Sequence, residues 1–197
     1  MLLTRRLVLA SAATLPLAAY AASPLITPRT LGKPGAKVHV VEYFSLTCTH
    51  CAEFQKETFP KIKKNLIDTG KVFYEWHDFP LDKVALLAAV IARALPPDQY
   101  EPFINVLLTT QDQWAFAHNV NSTEELAKIA ALAGMPRSDF DKAAHDQAMQ
   151  KAILAAQEEA AKKHGIDSTP TFLINGKKLV GAVDYPTFLK AVNAASA

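Results

Sequence analysis

The sequence predicts an α/β fold in which a small β-sheet domain is interrupted by an all-helical insertion. Three observations lead to this prediction. A β-α-β pattern follows the N-terminal lead-in, no strand pattern is found over residues 81–164, and a β-β-α pattern closes the chain. The 197 residues, half of them hydrophobic, are sufficient for one sizeable core.

The first 21 residues have the pattern of a secretory signal peptide. An Arg-Arg pair precedes an apolar run over 7–19, and residues 19–21 have the small-x-small pattern of a cleavage site, so we place cleavage after Ala21. A membrane anchor is disfavoured because the run is short for a ~30 Å hydrocarbon layer and contains Pro16. We therefore expect an exported, periplasmic or otherwise extracytoplasmic protein. The arginine pair does not decide between Sec and twin-arginine export.

The first structural unit of the exported chain is predicted to be β-α-β. After a short edge strand near Arg29–Leu31, the β-branched and aromatic run Val38–Phe44 is typical of a strand covered on both faces. Helical spacing follows over 49–67, with a kink expected at Pro60, and residues 72–76 form the next strand candidate. Two strands joined in this way are expected to be parallel, with a right-handed crossover.

The middle of the chain has the apolar spacing of helices. Residues 84–95 repeat apolar side chains at i, i+3, i+4 and i+7, and further helices are predicted over 99–110, 122–134 and 149–164. The helix over 122–134 opens with the spacing of a capping box, in which Ser122 would be the N-cap.

The C-terminal part predicts a β-hairpin and a closing helix. Two short β-branched and aromatic runs, 171–174 and 177–180, flank Asn175 and Gly176. This dipeptide is a strong signal for a two-residue turn, because both residues tolerate positive φ. Residues 185–194 then have the pattern of a short helix.

This order of elements predicts a thioredoxin-like fold with a helical insertion. We assign residues 22–80 and 165–197 to the thioredoxin-like domain and residues 81–164 to the insertion. No internal repeat or low-complexity tract suggests another architecture.

The chain contains two cysteines, Cys48 and Cys51, and they lie where a predicted strand is followed by a helix. Cys48 would then face the free N–H groups of a helix N-terminus, which lower the pKa of a thiol. His50, between the cysteines, can add a positive charge or a hydrogen bond to the same thiolate. A pair whose reduced form is stabilised in this way is a strong oxidant, so the sequence predicts donation of a Cys48–Cys51 disulfide.

Other functions for the two cysteines are less well supported. A structural disulfide closing so short a loop would give little stabilisation. A C-x-x-C pair can be half of a zinc site or can hold copper(I), but the chain has no further cysteine and its other histidines are scattered. We therefore expect no bound metal and no cofactor besides the redox-active disulfide. With 21 basic and 19 acidic residues and no basic stripe, nucleic-acid binding is not expected.

Two segments resemble the DsbA family of thiol:disulfide interchange proteins. Residues 42–51, E-Y-F-S-L-T-C-T-H-C, are similar to the active-site stretch of that family. Residues 165–172, G-I-D-S-T-P-T-F, resemble its loop in which a proline follows a cis peptide bond beside the disulfide. The resemblance covers the whole predicted mature chain in the order of its elements.

The resemblance implies roles for further residues. Pro170 would follow the cis bond, and the backbone of Thr169 would pair with an extended substrate segment. Glu42 would be a buried acid under the disulfide that helps to move protons, because burial raises the pKa of a carboxyl group. Thr49, next to Cys48, is also assigned to substrate binding.

The sequence departs from the best-known oxidases of the family at two positions. Thr49 stands where those oxidases have proline, which leaves the redox potential open, and Thr169 stands where they have valine. A threonine at the second position is similar to the isomerase relatives, which have an N-terminal dimerisation domain. Residues 22–37 are too short for such a domain, so we expect a monomer.

Together these features predict a thiol:disulfide oxidoreductase that donates its disulfide to reduced or unfolded exported polypeptides. A membrane, quinone-linked reoxidase of DsbB type is the partner that the resemblance implies. Two alternatives stay open: a reductase or isomerase that a membrane partner keeps reduced, and a copper-carrying protein that uses the same cysteines.

Overall fold

A computed structural model of the chain describes residues 26–196. The predicted signal peptide and its cleavage site after Ala21 lie outside these residues. Within the described part of the chain, no helix combines the length and apolar character needed to cross a bilayer.

The centre of the molecule is a five-stranded sheet with the order β1-β3-β2-β4-β5. The strands are β1 (Arg29–Leu31), β2 (Val38–Phe44), β3 (Val72–Asp78), β4 (Thr171–Ile174) and β5 (Lys177–Val180). The central strands β2 and β3 are parallel, as predicted, and every other neighbouring pair is antiparallel.

Helices connect and cover these strands. They are α1 (Thr49–Glu57), α2 (Phe59–Ile62), α3 (Lys83–Ala94), α4 (Pro97–Thr109), α5 (Gln111–Trp114), α6 (Ser122–Leu132), α7 (Arg137–Ala144), α8 (Gln147–His164) and α9 (Tyr185–Ser196). A π-helical turn, Lys63–Ile67, extends α2. The architecture is thus the predicted thioredoxin-like α/β fold, with α3 to α8 inserted between β3 and β4. The domain boundaries at residues 80 and 165 stay predictions.

The structure corrects three details of the helix predictions. The helix after β2 is interrupted at Thr58, and Pro60 lies in the first turn of α2, where its missing N–H is not needed. The N-cap of α6 is Asn121, whose side chain accepts hydrogen bonds from Thr123 and Glu124, so the capping box at Ser122 is wrong. Helix α7 was not predicted, because Phe140 is its one buried side chain and its apolar pattern is correspondingly weak.

The predicted hairpin between β4 and β5 is confirmed. Asn175 and Gly176 both have positive φ, 45° and 81°, as a tight two-residue turn requires. The Asn175 side chain also accepts a 2.8 Å hydrogen bond from the His39 N–H, which joins the turn to β2.

The two faces of the sheet are covered by different helices. On one face, α1, α2 and α9 enclose an aromatic core formed by Phe54, Phe59, Tyr74, Trp76, Phe172 and Phe188. On the other face, α8 contributes Ala160 to a smaller cluster with Tyr43 and Leu173. Cys48 and Cys51 belong to the larger core, at the end of the sheet where β2 leads into α1.

Buried polar contacts join the helical insertion to the sheet. Arg93 of α3 forms an ion pair with Asp78 at the end of β3, and Tyr100 of α4 donates a 3.1 Å hydrogen bond to the same carboxylate. Arg29 of β1 donates a 2.7 Å hydrogen bond to the Arg93 carbonyl. These side chains are buried, and their contacts join α3 and α4 of the insertion to strands β1 and β3 of the sheet.

Candidate active site

Cys48 lies at the junction between β2 and α1, in the N-cap position of the helix. Its backbone is extended, with φ −85° and ψ 119°, and both cysteines are free thiols in this structure. Cys48 keeps a small exposed area of 7%, whereas Cys51, inside the first turn of the helix, is 1% exposed. The sulfur that an incoming thiolate could reach is therefore that of Cys48.

The surroundings of Cys48 favour its thiolate. A hydrogen bond from the Cys51 thiol contributes most to lowering its pKa, which falls to about 5, and burial acts in the opposite direction. The backbone N–H groups of Cys51 and His50, at the start of α1, lower the pKa further. No cap hydrogen bond to the sulfur is formed in the dithiol state, so these donors are available to the thiolate.

Cys51 has the opposite character. Burial raises the pKa of its thiol well above the usual range, and the nearby charges of Cys48 and Glu42 raise it further. At neutral pH the reduced pair therefore consists of a Cys48 thiolate and a Cys51 thiol.

The side chain of His50, which the sequence places between the two cysteines, points to solvent and towards Glu53 in this structure. Its side chain is 71% exposed, and Nδ1 lies 3.5 Å from Glu53 Oε2 on the next turn of α1. The contribution of His50 to the low pKa of Cys48 comes from its backbone N–H. Helix geometry explains this difference, because the N–H group of His50, the second helical residue, faces the N-cap Cys48 while the His50 side chain points outward.

The Thr169–Pro170 segment lies directly beside the cysteines. The peptide bond before Pro170 is cis, as the resemblance implied. The Cys48 thiol donates to the Thr169 carbonyl, with a sulfur–oxygen distance of 3.3 Å. The Thr169 hydroxyl is buried and has no hydrogen-bond partner among residues 26–196 in this dithiol state, yet it lowers the pKa of Cys48. We take it as a donor that is satisfied when the thiolate forms.

Glu42 is buried in β2, with 2% of its surface exposed. Tyr74, on the neighbouring strand β3, donates a 2.8 Å hydrogen bond to its carboxylate. Burial raises the pKa of Glu42 to about 7, the hydrogen bond from Tyr74 opposes this effect, and the charge of Cys48 adds to it. A carboxyl group with such a pKa can take up or release a proton near neutral pH. From the sequence, Tyr74 is recognisable only as part of a strand.

Two residues of the helical insertion hold the turn before α1, and neither was predicted from the sequence. Gln111 of α5 is buried, and its side-chain amide donates to the carbonyls of Leu46 (2.8 Å) and Cys48 (3.0 Å). Asp82, the N-cap of α3, accepts a 2.7 Å hydrogen bond from the Thr47 hydroxyl. Both lie more than 30 residues from their partners along the chain, so no local sequence pattern announces these contacts.

Thr49 is exposed at the start of α1, next to Cys48, where a bound polypeptide could reach it. Within the described residues, no group of three or more His, Cys, Asp or Glu side chains is placed so that it could hold a metal ion. The chemistry that this arrangement supports is thiol–disulfide exchange, in which one sulfur is an accessible thiolate and the other is a protected thiol.

Comparison with known proteins agrees with this chemistry. Residues 25–194 match the family model described as thioredoxin. A Rickettsia prowazekii protein, named as a candidate protein-disulfide oxidoreductase, is 35% identical over 147 residues, which are 74% of this chain and 53% of that protein. This chain thus spans about half the length of that relative.

Relatives named DsbA are matched more completely. The thiol:disulfide interchange protein DsbA of Salmonella typhimurium is 30% identical over 155 residues, covering 75% of this chain and 71% of that protein. The crystal structure of Wolbachia pipientis alpha-DsbA1 superposes with a TM-score of 0.80 and 31% identity over 88% of this chain and 92% of that one. By sequence and by fold, the chain therefore belongs to the DsbA family of thioredoxin-like proteins.

Proposed function

We propose that this protein is an extracytoplasmic thiol:disulfide oxidoreductase that donates its Cys48–Cys51 disulfide to reduced, exported polypeptides. The observation that carries the proposal is the unequal pair of thiols, with a pKa of about 5 for Cys48 and a pKa well above the usual range for Cys51. Stabilising the Cys48 thiolate stabilises the reduced protein and therefore makes its disulfide more oxidising.

The reaction follows from the accessibility of the two sulfurs. A substrate thiolate attacks Cys48 Sγ, a substrate–Cys48 disulfide forms, and the Cys48–Cys51 bond breaks with its electron pair on Cys51. A second substrate thiolate then attacks the substrate sulfur of this mixed disulfide and releases the Cys48 thiolate. The substrate loses two electrons, and the protein gains them as a dithiol.

Within the described residues, Glu42 is the group best placed to donate a proton to Cys51 and to take it back. Cys51 leaves as a thiolate in a buried environment where its neutral form is strongly favoured, so it has to be protonated. A neighbouring carboxyl group with a pKa of about 7 can supply that proton and recover it when the disulfide is formed again. Tyr74 holds the carboxylate in place through its hydrogen bond.

The cis-proline loop supports the substrate role assigned to Thr169 and Pro170. The Thr169 carbonyl lies against Cys48 Sγ, so an extended segment joined to that sulfur would pass beside its backbone. Thr49 would line the other side. A membrane, quinone-linked reoxidase of DsbB type would return the pair to its disulfide, and the predicted signal peptide would place both reactions outside the cytoplasm.

A second direction is favoured by one residue. Thr169 has the side chain found in the isomerase relatives, and a partner that keeps Cys48 and Cys51 reduced would make the same site a reductase or isomerase. In a reductase, the exchange at the sulfurs is the reverse of that given above; in an isomerase, the Cys48 thiolate attacks a substrate disulfide and is released again when another substrate thiolate attacks the mixed disulfide.

The decisive experiment is the equilibrium reduction potential of the Cys48–Cys51 pair against a glutathione buffer. For an oxidase we expect a potential well above the value of about −270 mV for thioredoxin, together with an acidic pKa for Cys48. A potential at or below that of thioredoxin would overturn the oxidase proposal and establish the reductase or isomerase direction. The Cys48→Ser variant, which should have no turnover, is the control.

A further inference from the structure

A groove lies beside Cys48, between the insertion and α1, and takes no part in the thiol chemistry described above. Its volume is about 370 Å³. One wall is the face of α1 that runs from Thr49 to Glu57, and Gln111, Asp112 and Phe116 form the other. The groove is open to solvent.

One end of this groove lies next to Cys48. Thr49 follows Cys48 directly, and the Gln111 amide donates a hydrogen bond to the Cys48 carbonyl. The eight-residue rise from Thr49 to Glu57 gives the groove a length of about 12 Å, which an extended polypeptide covers in about four residues. A substrate joined to Cys48 through its own cysteine thus has residues within reach of the whole groove.

The groove combines an apolar lining with acidic side chains. Ala52 and the half-exposed Phe116 supply apolar surface. Three carboxylates, Glu53, Glu57 and Asp112, and one lysine, Lys56, line the groove, so the formal charge of the lining is negative. His50, outside the lining, lies 3.5 Å from Glu53. The chain as a whole is not expected to attract cations. Its net charge is +2, and two of its arginines lie in the predicted signal peptide. Attraction for cations is therefore local to this groove.

We propose that the acidic side groove binds the substrate segment adjacent to the reacting cysteine and favours substrates with Lys or Arg within about four residues of it. The inference rests on the proposed function and adds a substrate class to it. The cis-proline loop contacts substrate backbone at Thr169 and is indifferent to side-chain charge, whereas the groove distinguishes substrates by their side chains. The aliphatic stem of Lys or Arg suits the apolar lining, and its charged end reaches the carboxylates.

The test uses three dithiol peptides that differ only in carrying Arg, Gln or Glu at the third residue from the reacting cysteine. A second set carries the change on the other side of that cysteine. The second-order rate constant for reaction with the oxidised protein is measured at low ionic strength. We expect the Arg peptide of one set to react about two- to fivefold faster than the Gln peptide, and the Glu peptide to react more slowly. The difference should shrink in high salt.

Variants of the groove make the test specific. Asp112→Asn combined with Glu57→Gln should abolish the preference for Arg, and Lys56→Gln should increase it. All three side chains are exposed, so folding should be unaffected. Asp139→Asn, an exposed acid on α7 outside the groove, is the matched control and should leave the preference unchanged.

The outcomes separate this inference from the proposed function. If the Gln peptide is oxidised but the three peptides react at equal rates, or if the preference survives in the double variant, the groove does not select cations and the inference is wrong. If no peptide is oxidised, the oxidase direction fails instead. The same peptides in their disulfide form, mixed with the reduced protein, then measure the charge preference in the reverse direction.

Discussion

Thr169 contributes two groups to the redox site, a carbonyl that accepts from the Cys48 thiol and a buried hydroxyl that has no partner among the described residues in the dithiol state. Such a hydroxyl can rotate to donate to the thiolate, so the backbone and the side chain of one residue serve the two protonation states of the sulfur. The buried, unpaired polar atom is costly in the dithiol form, and that cost favours loss of the thiol proton.

Replacing this hydroxyl tests its effect directly. In Thr169→Val, which keeps the shape of the side chain, we expect the pKa of Cys48 to rise by about one unit because the thiolate loses a charge-assisted hydrogen bond. As the pKa of Cys48 rises, the reduction potential of the disulfide should fall, so that the disulfide becomes less oxidising. The thiolate absorbance of the reduced protein measures the pKa. Ser168→Ala is the matched control, since the Ser168 hydroxyl bonds to Asp167 and not to the sulfur. An unchanged pKa in the valine variant would contradict the role given to Thr169.

Tyr74 has a distinct effect on the buried carboxyl group. Its hydrogen bond opposes the rise in the pKa of Glu42 that burial causes, so Tyr74→Phe should move the pKa of Glu42 further above 7. Infrared titration of the buried carboxyl band in the oxidised protein measures this value, and Glu42→Gln identifies the band. A titration midpoint that stays the same in the phenylalanine variant would mean that the contact has no influence on proton uptake.

The individual residues of the site differ in how far the sequence could identify them. Cys48, Cys51 and Pro170 lie in short contiguous motifs, and a local pattern was enough to single them out. Tyr74 and Gln111 reach the site through strand register and through the packing of the insertion, which are non-local. For His50 the residue was found but its contact was not, because the orientation of a side chain at the start of a helix depends on the helix itself.

At the scale of elements, the short helix α5 supports the N-terminus of α1. The Gln111 amide donates hydrogen bonds to the carbonyls of Leu46 and Cys48. The insertion thereby holds the turn that places the first α1 amide groups next to the Cys48 sulfur. The amide groups can lower the pKa of Cys48 only while that turn keeps its geometry.

Removing the Gln111 amide should loosen this turn. In Gln111→Leu we expect faster hydrogen exchange at the amides of residues 48–51, a higher pKa for Cys48, and a loss of about 1–3 kcal/mol of stability from the unpaired carbonyls. Gln113→Leu, an exposed neighbour on the same short helix, is the control. If exchange and pKa are the same in both variants, α5 does not position the cysteine turn.

Most elements were predictable because each carries its own local signal. The central strands are β-branched and aromatic runs, and the hairpin has an Asn-Gly turn. The strand β3 extends two residues beyond its predicted end, to Asp78, because pairing with β2 continues there. Helix α7 was missed because a short helix with a single buried side chain has almost no apolar periodicity.

For the whole molecule, the cysteine pair links redox state to the pH dependence of stability. The folded protein lowers the pKa of Cys48 from its ordinary 9.0 to about 5. A depressed pKa stabilises the folded state fully above the unfolded value, and this stabilisation is lost as the pH falls through the folded value. As the pH falls from about 9 to about 5, the free energy of unfolding of the reduced protein should therefore decrease relative to that of Cys48→Ser, which lacks this thiol.

Denaturant unfolding of both proteins across this range measures the effect. Glu42 has a raised pKa and shifts stability in the opposite sense, with stability falling as the pH rises from its ordinary value towards 7. Taking the difference between the reduced protein and Cys48→Ser removes most of this contribution. A difference that does not vary with pH would show that folding leaves the acidity of Cys48 unchanged.

The unequal burial of the two sulfurs also determines how the protein responds to alkylating reagents. A maleimide dye added to the folded, reduced chain should couple once, at Cys48, because Cys51 is enclosed and remains a protonated thiol. Unfolded, reduced chains should take up two dyes, and oxidised chains none. Counting dye molecules per chain by mass spectrometry would therefore report both the redox state and the folded fraction of this protein directly in a cell extract.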